Sequence, residues 1–327
     1  MSVLKDSFHR TISYLRVSVT DRCNLRCVYC MPLQGVQLVN RSEMLSLEEI
    51  REVVRVGVSL GIRSVRLTGG EPLVRDGIVE LVGMLSTLPG LQDLSMTTNG
   101  VLLSRHAKPL ARAGLTRVNI SLDTLRADRF LEITRFGTLE DVFSGMEAAA
   151  EAGFSPIKLN MVVMRGVNDD EVLDLARLSL EKPLHVRFIE LMPIGDYFRT
   201  DRVVPAREIF ERLQTLGPLK AVKGLGGCGP AQSWRWDGAK GTIGIIGAVT
   251  QAFCADCNRL RLTARGALRP CLDDQAAVDL KPALRPVLDP EQLSFLFLQA
   301  AQSKPKSHTM TDRDASLPHA CMAGVGG

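Results

Sequence analysis

The chain has 327 residues, of which 45% are hydrophobic and 23% charged, with a formal net charge of +4. This composition predicts a globular protein of one large or two unequal domains. Because no apolar run of about 18 residues occurs, we expect no membrane span. The small, dispersed charge does not by itself argue for nucleic acid, which we do not expect as a partner, and it suits a polyanionic small molecule.

The first 195 residues alternate between short apolar strands and helices. Six such βα units predict a parallel sheet with right-handed crossovers, in either a partial barrel or a doubly wound sheet. In both architectures ligands bind at the carboxyl ends of the strands. Strand patterns occupy 14–20, 64–68, 93–98, 117–122, 157–164 and 185–192, and helical patterns begin after a capping box at Ser46 and recur near 77–88, 104–113, 138–152 and 169–181.

This βα pattern ends at about residue 196. A glycine-rich loop at 224–229 and a predicted hairpin from Arg259 to Cys271 follow, then a helix at 291–301 and a polar tail at 303–327 that we expect to be mobile. We therefore predict a first domain over 1–195 and a second over 196–327. The expected fold class is α/β, an incomplete (βα)6 TIM-type barrel whose opening is covered by the C-terminal region.

Three cysteines, Cys23, Cys27 and Cys30, follow the first predicted strand in one short loop. The N-terminal residues lack the apolar core of a signal peptide, so we expect a cytoplasmic location. Disulfides are disfavoured in such a reducing compartment. Zinc or free thiols remain alternatives, although a zinc site needs a fourth ligand that the loop lacks. The spacing favours a [4Fe–4S] cluster with one iron open to another ligand.

A second triad consists of Cys254, Cys257 and Cys271, the last returned by the predicted hairpin. A zinc site would need a fourth ligand such as Cys228 or Cys321, whereas a second open cluster would need none. Two nearby arginines, Arg259 and Arg261, share one face of a strand and could hold an anion against the metal. The alternative is a solvated strand face balanced by Asp256.

Several motifs together resemble a known superfamily, the radical S-adenosylmethionine (SAM) enzymes, and more closely the GTP 3′,8-cyclase family of molybdenum cofactor biosynthesis. The resemblance extends from Arg16 to the C-terminus. It is carried by the first cysteine triad and by Thr68-Gly-Gly-Glu-Pro72, Thr97-Thr-Asn-Gly100, Asn119-Ile-Ser-Leu-Asp123, Phe188-Ile-Glu-Leu-Met192 and Cys254-x2-Cys257-Asn-Arg-Leu-Arg261.

The resemblance implies two [4Fe–4S] clusters, held by Cys23, Cys27 and Cys30 and by Cys254, Cys257 and Cys271, together with SAM. The cluster and SAM generate a 5′-deoxyadenosyl radical, so no catalytic side chain is expected, and the protein positions the reactants and excludes water. The positions that match the family's SAM-binding residues are Tyr29, Gly70, Ser121 and Met192.

The implied reaction converts GTP to (8S)-3′,8-cyclo-7,8-dihydroguanosine 5′-triphosphate, the first step of molybdenum cofactor biosynthesis. A triphosphate needs charge-assisted partners, although each basic residue could instead pair with a structural carboxylate. The positions that match the family's GTP-binding residues are Arg16, Arg66, Thr97, Lys158, Arg259, Leu260 and Arg261.

The resemblance also implies partners: a low-potential electron donor such as a flavodoxin-like protein, a cyclic pyranopterin monophosphate synthase that receives the product, and a second copy in a homodimer. The terminal Met322–Gly327 resembles the family's double-glycine tail, which reaches into the active site. Ser64 stands where the family often has a basic residue, and Val325 where isoleucine is common. The first difference could weaken a phosphate contact.

Two alternative functions stay open at this point. One is a radical SAM enzyme that modifies a peptide and carries auxiliary clusters, although such enzymes usually have more C-terminal cysteines. The other is a non-catalytic iron–sulfur or zinc protein that acts as a redox sensor, for which six βα units would be excessive.

Overall fold

A computed structural model describes residues 3–36, 40–194, 197–223, 229–273, 276–310 and 322. Most of the predicted glycine-rich loop, the double-glycine end, Cys228 and Cys321 lie outside these residues. Within them, no helix is both long and apolar enough to cross a lipid bilayer.

Six parallel strands from the first half of the chain form the centre of the sheet, and each pairs with the next in chain order. The six predicted strands are therefore confirmed, with ends shifted by at most two residues. Their apolar residues are buried on both faces because helices cover the outer face. The strands are β1 (Tyr14–Ser18), β2 (Ser64–Thr68), β3 (Asp93–Thr98), β4 (Arg117–Ser121), β5 (Ile157–Val163) and β6 (Leu184–Glu190).

Helices follow the strands as the sequence predicts. The predicted capping box is present, because the Ser46 hydroxyl accepts from the Glu49 amide while the Glu49 carboxylate accepts from the Ser46 amide. The helices are α1 (Leu47–Ser59), α2 (Ile78–Ser86), α3 (Leu103–Arg112), α4 (Ala127–Thr134), α5 (Leu139–Glu151), α6 (Val172–Glu181), α7 (Ala206–Gln214), α8 (Lys281–Leu284) and α9 (Pro290–Gln302).

Three of these helices, α4, α7 and α8, were not predicted. Helix α4 has eight residues and its N-cap, Arg126, makes no side-chain cap hydrogen bond. Helix α7 begins after Pro205, also without a side-chain cap, and lies beyond the point where the repeating βα pattern ends. Both lack the capping signal that marks α1.

Strands from the C-terminal half continue the same sheet at both edges. Strand β9 (Thr242–Ile246) pairs in parallel with β6, and β10 (Arg259–Leu262) pairs in parallel with β1. The predicted hairpin is confirmed, since β10 is antiparallel to β11 (Ala267–Arg269). The outermost strands are β7 (Lys220–Val222) and β8 (Gln232–Arg235) on one side and β12 (Val278–Asp279) on the other. The C-terminal region thus occupies both edges of the incomplete barrel, and the boundary at 195/196 stays a prediction.

Register decides which side chains meet on the inner face of the barrel. Arg16 of β1 lies directly beside Arg66 of β2 and Arg261 of β10. Residues at one level of adjacent parallel strands point to the same face. The fold therefore gathers three arginines that are far apart in the sequence.

Candidate functional site

The first cysteine triad lies in the loop after β1, and its three cysteines are half-buried and not disulfide-bonded. The loop is held against the end of α4, because the Arg26 amide donates to the Thr134 carbonyl (3.0 Å) and the Val28 amide donates to the Ile133 carbonyl (2.9 Å). The unpredicted helix α4 therefore fixes the position of this loop.

Two buried carboxylates hold the surrounding loops. Glu71 accepts from the Thr98 hydroxyl (2.7 Å) and from the Asn99 amide (2.7 Å), and burial raises its pKa to about 7. Asp123 accepts from the Tyr29 hydroxyl (2.7 Å), and burial raises its pKa to about 6. The donors in these hydrogen bonds are all uncharged, so neither carboxylate is paired with a cation through them.

Gly70 shows why a glycine is needed in the Gly-Gly-Glu run. A Cβ atom at this position would lie 2.3 Å from the Arg22 carbonyl oxygen, a distance that no side chain tolerates. The Gly70 amide meanwhile donates to the Thr20 carbonyl (2.8 Å). The close approach seen here is therefore between two loops of the chain, one of which carries the cysteines.

The second triad lies across the cavity. Cys254 and Cys257 belong to a short turn before β10, while Cys271 follows β11, and all three thiols are half-buried. Burial raises the pKa of Cys257, but the nearby charges of Lys304 and Arg259 outweigh it and bring the pKa to about 7. A side-chain hydrogen bond with His308 lowers the pKa of Cys254. This environment favours thiolates, the form that binds metal.

A group of cations lies between the two triads. Arg16, Arg66, Arg187, Arg259, Arg261 and Lys304 all line the cavity, whose only carboxylates among the described residues are Glu71 and Asp123. Desolvation, with like charges added, lowers the pKa of Arg16 and of Arg187 to about 10. Such a concentration of positive charge is costly unless an anion occupies the cavity.

Three polar atoms in the cavity wall also lack partners. The Thr97 hydroxyl, the Asn119 amide oxygen and the Asn160 amide oxygen are buried without a hydrogen-bond partner and belong to β3, β4 and β5. Buried polar groups are nearly always satisfied, so these atoms indicate a polar ligand.

Most predicted site residues line this one cavity: the six cysteines, Tyr29, Gly70, Ser121, Met192, Arg16, Arg66, Thr97, Arg259 and Arg261. Two do not. The Leu260 side chain is fully buried in the hydrophobic core, so any ligand contact would come from its main chain. Lys158 is 1% exposed and is not among the lining residues.

Sequence reasoning missed several lining residues, including Asn119, Asn160, Arg187, Lys304 and His308. Arg187 and Asn160 could have been found, because each is a polar residue within an otherwise apolar predicted strand. Lys304 and His308 gave no such signal, since they lie in the polar segment after the last helix.

The residues present fit the groups that the resemblance implies. Cysteine thiols are the usual ligands of iron–sulfur clusters, and two sets of three face one cavity. The cations and the unpartnered polar atoms between them suit a phosphorylated, hydroxyl-bearing ligand.

The fold and the cysteine loop define a class of protein. The chain matches the radical SAM superfamily over residues 17–179 and the Molybdenum Cofactor Synthesis C family over 184–310. Its fold resembles that of Streptococcus suis SuiB bound to precursor peptide SuiA, with a TM-score of 0.66, 15% identity, and 95% and 68% of the two chains covered. At this identity the likeness concerns the fold alone. Radical SAM membership implies a [4Fe–4S] cluster and SAM.

Relatives with curated names are more specific. The GTP 3′,8-cyclases of Pelotomaculum thermopropionicum and Heliobacterium modesticaldum are each 50% identical, over 94% and 98% of this chain and 96% and 99% of theirs. That of Geobacter sulfurreducens is 47% identical over 99% of both chains. The chain belongs to the GTP 3′,8-cyclase family, which confirms the resemblance found in the sequence.

Proposed function

We propose that the chain converts GTP to (8S)-3′,8-cyclo-7,8-dihydroguanosine 5′-triphosphate in the first step of molybdenum cofactor biosynthesis. The observation that carries this proposal is one cavity with a cysteine triad at each end and arginines between them. A redox sensor would not need this cationic interior.

The first triad would hold the radical-generating cluster, which with SAM supplies a 5′-deoxyadenosyl radical when bound. Tyr29, Gly70, Ser121 and Met192 would contact SAM. The Tyr29 hydroxyl donates to Asp123 (2.7 Å), and this hydrogen bond orients the ring. The chain's own task is to orient two ligands and to exclude water from a reactive species.

The arginines and Thr97 would bind GTP. A triphosphate carries about four negative charges at neutral pH, and charge-assisted hydrogen bonds to guanidinium groups are the strongest available partners. Arg66 donates to the Ser95 hydroxyl (3.2 Å) and its guanidinium lies over the Tyr14 ring, 5.5 Å from the centroid. Because these two contacts are with uncharged groups, the positive charge of Arg66 remains available to bind phosphate.

We propose a second [4Fe–4S] cluster on Cys254, Cys257 and Cys271. A zinc ion would need a fourth protein ligand, and the predicted candidates, Cys228 and Cys321, lie outside the described residues. An open iron facing the cavity could instead bind the guanine of GTP. We also propose Arg187, from its place in the wall, as a further GTP-binding residue.

Reconstitution under anaerobic conditions tests the function. We expect about eight irons per chain from two clusters, and 5′-deoxyadenosine release that depends on GTP. Four irons with one zinc would refute the second cluster. Release that is indifferent to GTP would refute the proposed substrate.

Binding of GTP is expected to be coupled to a proton. Burial and the charges of Arg187, Arg117 and Arg66 lower the pKa of Lys158 to about 6, so this amine is mostly neutral at about pH 8 in the empty protein. A triphosphate raises that pKa, and GTP binding then takes up a proton and weakens as the pH rises above about 6.

Calorimetry in buffers of different ionisation enthalpy measures this uptake. We expect uptake of up to about one proton per GTP by Lys158, and less uptake in Lys158→Met, which lacks this amine. Equal uptake by the two proteins would contradict the role of Lys158.

We propose that the electron donor docks on the outer side of the first cysteine loop, on a surface formed by Arg26, Leu33, Leu131, Arg135 and Phe136. Arg26 donates to the Cys23 carbonyl (2.7 Å), and Arg135 donates to the Met31 carbonyl (3.1 Å). Leu33, Leu131 and Phe136 are 59%, 55% and 50% exposed. A reduced carrier bears an extra negative charge, so the two half-buried arginines at this surface would favour the reduced form over the oxidised one.

Phe136→Glu is expected to slow SAM cleavage driven by a reduced flavodoxin about tenfold, because it places a negative charge on the docking surface. Cleavage driven by dithionite should be unchanged. Phe295→Glu, at a 64% exposed site on α9, is the matched control and should slow neither reaction. Equal flavodoxin rates in the two variants would contradict this surface.

From family membership we also propose that the protein is a cytoplasmic homodimer and that it passes its product to cyclic pyranopterin monophosphate synthase. The two proposed domains, 1–195 and 196–327, would each contribute one cysteine triad to the shared cavity.

A further inference from the structure

The segment that follows α9, residues 304–310, lies against the second cysteine triad. Its first residue, Lys304, is 3% exposed. The Lys304 ammonium donates to the Arg259 carbonyl (2.9 Å) and to the Pro270 carbonyl (2.6 Å). These carbonyls belong to the two separate stretches of chain that carry Cys257 and Cys271, so one buried side chain joins them.

A second cation, Arg10, holds the remaining cysteine from the N-terminal side. Its guanidinium donates to the Cys254 carbonyl (2.6 Å) and to the Pro305 carbonyl (2.6 Å). Asp6 fixes the guanidinium through an ion pair with its Nε atom at 2.5 Å. The N-terminus and the segment after α9 are therefore linked at the turn that bears Cys254.

The same segment is also held near the third cysteine. Asp273, two residues after Cys271, accepts from the Thr309 amide (2.8 Å) and hydroxyl (3.0 Å). Each of the three cysteines therefore lies in, or within two residues of, a residue that is hydrogen-bonded to Arg10 or to the segment 304–310.

The charge of Lys304 needs an anion, because carbonyl oxygens satisfy its hydrogen bonds but do not neutralise a buried ammonium. None of the ion pairs found among the described residues includes Lys304. Lys304 and Cys257 instead line the same cavity, close enough for the ammonium charge to lower the pKa of the Cys257 thiol. Cations and hydrogen bonds at ligand sulfurs stabilise the reduced, more negative state of a metal centre.

We propose that Lys304 is a positioning residue and counter-charge for a metal centre on Cys254, Cys257 and Cys271, and that Arg10 assists it by fixing the Cys254 turn. The inference deepens the proposed function, since it requires a metal centre at the second triad. It assigns this centre to four parts of the chain: the N-terminus, the turn before β10, the end of the β10–β11 hairpin and the segment after α9.

Lys304→Met is the decisive variant, and Lys306→Met is its matched control, because Lys306 is exposed and its backbone carbonyl, not its side chain, contacts Arg10. After anaerobic reconstitution and desalting, we expect Lys306→Met to keep about eight irons per chain and Lys304→Met about four. Metal retained at the second centre of Lys304→Met should show a more negative midpoint potential by redox titration. Lys304→Arg should restore the potential because it restores the charge.

The electron paramagnetic resonance signal that SAM elicits from the first cluster should persist in every variant, which shows that the protein is folded. Arg10→Gln gives an independent measurement and should also lose second-centre iron. Full iron and an unchanged potential in Lys304→Met would overturn the inference. Four irons in the unaltered chain would instead refute the second cluster. Equal zinc retention by Lys304→Met and Lys306→Met would then overturn the positioning role of Lys304, and weaker retention by Lys304→Met would support it.

Discussion

Cys27→Ala is expected to abolish SAM cleavage completely and to lower the iron content from about eight to about four per chain. Cys27 lies in the middle of the first triad, and the loop contains no fourth cysteine to replace it. Its backbone carbonyl accepts from the Cys30 amide (2.9 Å), which fixes the turn between the two cysteines. Iron analysis and 5′-deoxyadenosine assay measure the two effects.

Cys271→Ala is the matched control because it removes one thiol from the other triad. It should also lose about four irons, yet keep the first cluster and its spectroscopic response to SAM. Cyclisation of GTP should nevertheless fail. If Cys27→Ala still cleaved SAM, or if Cys271→Ala lost the response to SAM, the assignment of the radical-generating centre to the first triad would be wrong.

Arg187→Met is expected to weaken GTP binding by about ten- to hundredfold, the effect of losing a charge-assisted hydrogen bond to phosphate. In the empty protein the same change should raise the melting temperature. Desolvation and the charges of Arg66 and Arg117 already lower the pKa of Arg187 to about 10, so its removal relieves an unfavourable, partly buried charge. Calorimetric titration with GTP and thermal unfolding measure the two effects.

Arg117→Met gives the contrast. Arg117 is ion-paired with Asp93, and the two side chains are 8% and 18% exposed. Removal of Arg117 leaves a largely buried carboxylate unpaired, which we expect to destabilise the protein by about 3 kcal/mol. Lower stability in both variants would show that Arg187 has a structural role, and unchanged GTP affinity in Arg187→Met would remove it from the binding site.

The fold was largely predictable because its signals are local. Strands buried on both faces read as continuous apolar runs, and a capping box such as Ser46 to Glu49 marks a helix start within four residues. Helices α4 and α7 were missed because α4 has only eight residues and α7 lies beyond the repeating βα pattern. The end of α4 packs on the first cysteine loop, about a hundred positions earlier in the sequence.

The site was predictable wherever a motif carried its residues, as for the two cysteine triads and for Arg259 and Arg261. Lys158 shows what a motif match leaves open, since its side chain is 1% exposed and is not among the residues that line the cavity, so its role toward GTP stays a prediction. Leu260 shows it too, because alternation along β10 turns its side chain into the core between two cavity-facing arginines.

The sequence by itself determined the βα order, the two sets of thiols and the family, since each depends on residue type and short spacing. Only the tertiary structure decided that both triads face one cavity, that Arg16, Arg66 and Arg261 lie side by side, and that Lys304 and Arg10 join the segments around the second triad. The physical reason is that strand register and long-range hydrogen bonds, some spanning more than two hundred residues, bring these groups together. No local pattern in the sequence encodes such contacts.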